Sequence, residues 1–149
     1  MSIASASYHY GVALFQLLEK DKGLHLSSFP TQSKNSYSVG KNLVGIYMKY
    51  SNKNSSPWTF SFSRQHQEEL RIMSEMHAHT FLVLICGKDG ITCISYKELK
   101  MVLDEFYEES EWIKLSRLSG QSYTLKGHDG VLNHKLSTTN YPRDILASL

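Results

Sequence analysis

"TFLVLICGKDGITCISYKEL", residues 80–99, reads as a strand, a turn, a second strand and the start of a helix. The apolar run "TFLVLIC" has a strand's length and no polar face, which predicts a strand covered on both sides. "GKDG" is the turn and "ITCIS" the returning strand, so the two form a hairpin. With Lys88-Asp89 as a two-residue turn, Cys86 faces Ile91 and Cys93 faces Leu84. That register sets both thiols diagonally on one face, and both are expected to be buried and reduced.

The end of the stretch imitates a calcium loop. Aligning Glu98 with the last ligand puts Gly87 first, Asp89 third, Ile91 fifth and Thr92 sixth. Calcium takes six to eight oxygens, and the loop needs glycine at its sixth position. Here the first and fifth ligands and the turn glycine are all wrong, and the preceding segment is a strand where the loop requires a helix. "SYKE" instead fits a capping box, with Ser95 bonding forward and Glu98 bonding back to start a helix from about 96 to 108. No calcium is expected.

The same logic extends in both directions. Upstream, residues 7–20 form an apolar stripe at helical spacing through Tyr8, Val12, Phe15 and Leu18, stopped by Asp21-Lys22-Gly23. A short extended piece "LHLSSF" follows, then two strands in "NSYSVGKNLVGIYMKYS" and one in "WTFSFS". In the second of these strands Leu43, Gly45, Tyr47 and Lys49 share one face. Val44, Ile46, Met48 and Tyr50 share the other, and this more apolar set is expected inward. Ser63 can cap a helix over 64–77 with Leu70, Met73 and His77 on one face. Downstream, "WIKLSRL", "QSYTLKG" and "VLNHKLS" read as short strands. The sum is one mixed α/β (α+β) domain over residues 1–142. It has a mixed β-sheet flanked by about three helices, short antiparallel strands towards the C-terminus, and a loosely attached tail at 143–149.

At 149 residues, 41% hydrophobic and 20% charged, the chain has globular proportions. No apolar run approaches the ~20 residues of a membrane span. The first residues lack the basic region of a secretory signal, and with so few cysteines the expected location is cytoplasmic. The net charge of +2 conceals a segregation. Residues 22–67 hold six bases (Lys22, Lys34, Lys41, Lys49, Lys53, Arg64) and no acid, whereas residues 68–112 hold ten acids and four bases.

The order helix, three strands, helix, strand, strand, helix resembles the core of the restriction-endonuclease-like superfamily, the PD-(D/E)xK nucleases. The resemblance covers roughly residues 8–103, and its most specific point is "LVGIYMKYS". In that family the third strand carries an acid, a spacer and a lysine. The acid binds a divalent metal, and the lysine positions the attacking water beside the scissile phosphate. Lys49 stands at the lysine position, but Tyr47 replaces the acid, and no acid occurs between Asp21 and Glu68. Holding Mg²⁺ needs carboxylate oxygens, so the family's catalysis does not transfer. A site rebuilt from Glu19 with Glu68 or Glu69 would be the only route back to it.

The bases Lys34, Lys41, Lys49, Lys53 and Arg64 are interleaved with Tyr37, Tyr47, Tyr50 and Trp58. Lysines draw phosphate with release of counterions, and aromatic faces stack on bases, so the mixture suits nucleic acid. A solvated lysine face with tyrosines bridging core and water has the same composition. His77, His79 and Cys86 lack the fourth ligand of a structural zinc, no glycine loop cradles phosphate and no strained elbow marks a nucleophile, so no cofactor is expected. His128 before Asp129-Gly130 reads as turn decoration. The acidic run "DEFYEESEW", 104–112, opposes the helix dipole, which ends the helix near Phe106 or turns the acids towards a contact. The candidate nucleic-acid residues are therefore Lys34, Lys41, Lys49, Lys53, Trp58 and Arg64. The expected function is non-catalytic nucleic-acid binding, against a protein–protein interaction module or homo-oligomer, with a displaced-carboxylate nuclease third.

Overall fold

The computed structural model describes residues 3–107 and 110–149. The central layer is a five-stranded mixed sheet in the order β1 (Leu26–Ser28), β2 (Ser36–Val39), β3 (Val44–Ser51), β5 (His79–Cys86), β6 (Gly90–Ser95). All neighbours are antiparallel except β3 and β5, which run parallel. Parallel neighbours need a long crossover. Here it contains β4 (Trp58–Ser63) and the helix α2 (Arg64–Met76).

Both faces of this sheet are covered. Tyr47, Leu82, Leu84, Cys86 and Ile94 pack against α2 and α3 (Tyr96–Val102). The same core also takes in a second, antiparallel sheet in the order β4, β7 (Ser110–Ser116), β8 (Thr124–Gly127), β9 (Gly130–Val131). Val44, Ile46, Met48, Val83, Ile85 and Cys93 pack against α1 (Ser5–Lys20) and α4 (Asn140–Ala147) on the opposite face. The α/β reading holds, with a fourth helix and a second sheet added. The single inward face expected for β3 is corrected: Tyr47 and Met48 are equally buried, because a central strand between two layers has no solvent side.

The β5–β6 hairpin differs from expectation by one residue. Cys86 pairs with Gly90, Ile85 with Ile91 and Val83 with Cys93, so the loop holds three residues, Gly87 to Asp89. Gly87 adopts φ +54, and a Cβ there would meet the Lys53 carbonyl oxygen at 2.1 Å. Only glycine fits this left-handed, close-packed corner. A one-residue slip exchanges faces, so Cys86 lies with the α2 side and Cys93 with the α1 side. The thiols are buried in separate cores and not on one face.

Three further expectations change. Helix α3 begins in the expected capping box, with Glu98 N–H to Ser95 Oγ at 3.1 Å and Ser95 N–H to Glu98 Oε1 at 2.9 Å. It ends at Val102 and not near 106–108; Glu108 and Glu109 of the acidic run lie outside the described residues. The segment after Tyr141 is no loose tail: Ile145 is fully buried and Tyr141 donates its hydroxyl to the Ala13 carbonyl. The amide of Asn140 bonds Thr92 and the backbone of Cys93 in both directions. Helix α1 buries His9, Ala13 and Leu17, leaving Tyr8 at 52% and Phe15 at 64% exposure. Its apolar residues nearly encircle it, so periodicity alone does not select the inward face.

Candidate functional site

Alternation along β3 points Tyr47 and Lys49 towards α2, and the N-terminus of α2 brings three side chains to meet them. Ser63 caps that helix by accepting from His66 N–H at 3.2 Å. In return, His66 Nδ1 accepts from Ser63 N–H at 3.2 Å, closing a capping box with histidine in the usual Glu/Gln place. An Nδ1 that accepts carries no proton, so His66 is neutral with its hydrogen on Nε2. Burial first, and the charge of Lys49 second, keep its pKa below the ordinary imidazole value.

Lys49 is not the solvent-facing lysine of a strand end. Its ammonium donates to the Ser61 carbonyl on β4, lies 3.0 Å from His66 Nδ1 and 4.4 Å from the centre of the Phe62 ring. Burial pushes its pKa down to about 8, against the opposing pull of Glu69. One turn along α2, Glu69 accepts from Tyr47 OH at 2.7 Å, Ser33 Oγ at 2.6 Å and Ser33 N–H at 3.2 Å. Burial works to raise the Glu69 pKa, but these bonds outweigh it and hold the carboxyl below its ordinary value. The centre at neutral pH thus holds a carboxylate bonded by hydroxyl groups and an ammonium beside a neutral imidazole.

The loop carrying Ser33 is tied to α2 a second time by Gln65 Nε2 to Gln32 Oε1 at 2.8 Å. Lys34, exposed and left-handed at φ 55, follows Ser33 in this loop. The other candidate residues do not join them. Lys41 lies in the β2–β3 turn before Val44, and five strand steps of roughly 3.3 Å separate Val44 from Lys49. Lys53 bonds the Pro57 carbonyl at 2.9 Å in the β3–β4 loop, and Arg64 reaches the Tyr107 carbonyl at 3.2 Å. Lys22 is exposed in the turn after α1. Trp58 is corrected: at 1% exposure it is part of the core, its indole N–H bonded to the Lys53 carbonyl, and its ring offers no stacking face.

Of the acids considered for a rebuilt metal site, only Glu69 reaches this centre. Glu68 pairs with Arg71, and Glu19 belongs to α1 on the opposite face of the sheet. Among the described residues no group of three metal-ligating side chains forms around Lys49. His77 does not reach for metal either. Its Nε2 lies 2.7 Å from Ser38 Oγ and its Nδ1 donates to the Met73 carbonyl at 2.9 Å. Ser33 and His66 carried no signal in the sequence as site residues, because their roles depend on a loop and a helix cap meeting in space.

No family model, no curated protein and no solved structure matches the chain. Among the described residues no helix is long and apolar enough to cross a membrane.

Proposed function

We propose that this chain binds nucleic acid through its backbone, at the rim where Lys49 and Lys34 meet the N-terminus of α2, and does not cleave it. The observation that carries the reading is the state of Lys49. Its ammonium has three N–H donors. Two are directed to Ser61 and His66, and the reading assigns the third to a phosphate oxygen. Perturbed ammonium groups cluster at functional sites. The non-cleaving part of the reading rests on Glu69 being the one carboxylate beside Lys49 among the described residues: it is engaged by Ser33 and Tyr47, and one such group does not hold a catalytic Mg²⁺ with substrate.

The contact is narrow. With Trp58 buried and the remaining bases dispersed, two phosphates are engaged and no base is stacked. Fluorescence anisotropy with labelled single-stranded DNA and RNA tests this. The slope of log affinity against log salt should be roughly −1.4 for two phosphates on a single strand. Lys49→Met should abolish the interaction. No binding at tens of micromolar protein in low salt would remove the reading, and Mg²⁺-dependent cleavage would overturn its non-catalytic part.

A second reading rests on α1. Residues 1–18 contain no charged side chain, yet the chain buries only one face of this helix. Helices that are apolar all round are normally covered. An uncharged, apolar outer face of Tyr8, Phe15 and Leu18 suits a second copy of the same helix in a two-fold pair. Light scattering should then report a dimer that Phe15→Glu converts to a monomer. A monomer at every concentration would exclude it.

A further inference from the structure

Glu111, His128 and Asp129 come together on the second sheet, where no part of the nucleic-acid reading places a role. Each offers one ligand atom, and these atoms lie within 4.8 Å of one another. Glu111 is on β7, opposite Phe62 of β4, and is 1% exposed. Its Oε1 accepts from Gln67 Nε2 of α2 at 2.8 Å, and the amide oxygen of the buried Gln67 has no hydrogen-bond partner. His128 and Asp129 form the turn between β8 and β9.

That turn is clamped. His128 N–H bonds the Trp112 carbonyl at 2.9 Å, Asp129 N–H bonds the Val102 carbonyl at 2.9 Å, and Asp129 Oδ2 accepts from Asp104 N–H at 3.0 Å. The glycines on either side press against the end of α3: a Cβ on Gly127 would lie 2.3 Å from the Val102 oxygen, and one on Gly130 would lie 2.4 Å from the Met101 oxygen. Backbone packing thus fixes where His128 and Asp129 can project. A side-chain amide fixes Glu111.

The geometry points to a divalent transition-metal site with Glu111, His128 and Asp129 as its protein ligands, zinc being the ion of choice. Zinc bonds of ~2.0–2.2 Å to nitrogen and oxygen require neighbouring ligand atoms ~3.4 Å apart in a tetrahedron. The three ligand atoms, within 4.8 Å of one another, would draw together to that spacing on binding. The imidazole selects against calcium and magnesium, which take oxygen ligands. Two carboxylates and one imidazole leave the fourth position to a water molecule, on the side where Asp129 meets solvent. Gln67 acts as the outer partner that orients Glu111.

The untagged full chain, freed of metal by chelator, would be titrated with Zn²⁺ in competition with a chromophoric chelator. One equivalent of tight binding is expected, with a rise in thermal midpoint that saturates at the same stoichiometry. Asp129→Asn keeps an acceptor for Asp104 N–H and should leave the metal-free fold intact while weakening Zn²⁺ at least tenfold. His128→Asn should do the same. His134→Asn, which alters an exposed histidine paired with Glu98, should change nothing and identifies casual imidazole binding. The site is refuted by the lack of a stoichiometric Zn²⁺ complex. It is equally refuted by Asp129→Asn and His128→Asn chains that are folded and bind Zn²⁺ like the parent.

Discussion

Tyr47 donates its hydroxyl to Glu69 Oε1 at 2.7 Å, joining the middle of β3 to the second turn of α2. The middle of the central strand thus holds a tyrosine whose tip contacts an acid supplied by a helix. The bond is made to a charged acceptor that is also held by Ser33. Tyr47→Phe preserves the ring and removes the hydroxyl. Hydrogen bonds to charged groups contribute about 1.5–3 kcal/mol, so urea unfolding should show a loss of that size with an unchanged m-value. A loss near zero would show that Ser33 alone holds Glu69.

Lys49 makes the pH dependence of stability unusual. Folded, it releases its proton near pH 8; unfolded, near its ordinary 10.5. Between these values Lys49 is protonated only in the unfolded chain, so its own contribution makes stability rise with pH from about 8. Above about pH 9 the trend reverses, because burial holds the Cys86 and Cys93 thiols, and then Tyr10, Tyr47, Tyr123 and Tyr141, above their ordinary values and only the unfolded chain ionises them. Denaturation midpoints from pH 7 to 11 should trace this maximum. Lys49→Met should remove the rise and keep the fall.

The same titration governs ligand binding. An ammonium that becomes neutral near pH 8 loses its attraction for phosphate there. Affinity for single-stranded nucleic acid should fall between pH 7 and 9 in the parent chain. The sign is opposite to that of stability over the same range, so the two measurements separate function from folding.

The side chain of Asn140 pins α4 to β6 through Thr92 Oγ1 at 2.9 Å, Cys93 N–H at 3.1 Å and the Cys93 carbonyl at 2.9 Å. Asn140→Ala strands buried backbone groups that have no route to water. Each such group costs about 1–3 kcal/mol, so a loss of about 3 kcal/mol or more is expected. Hydrogen exchange at Cys93 should rise with it.

Burial raises both thiol pKa values well above the ordinary range, with the Asp89 charge adding to the effect at Cys86. Thiolate is the reactive form. Neither cysteine should react with a disulfide reagent in native buffer, and both should react in denaturant. Oxidation should leave no internal disulfide, because the thiols face different cores.

The sequence by itself determined the elements: the buried strand at 80–86, the Ser95–Glu98 cap, the Ser63 cap and the acid-free segment are local patterns of side-chain type and spacing. These follow from forces acting within a few residues, so a short window contains them. What the tertiary structure decided depends on contacts between windows. The Lys53 carbonyl against Gly87 set the hairpin register and sent Cys86 and Cys93 to opposite cores. The pairing of β4 with β7 built a second sheet and took Trp58 into the interior. Loop residue Ser33, strand residue Tyr47 and helix residue Glu69 became one polar centre only when three elements packed together. Glu111 and His128, 17 positions apart, became neighbours because β7 and β8 pair and the turn beyond them is clamped against α3. Hydrophobic periodicity does not encode such meetings, since it states which face is buried and leaves open what will cover it.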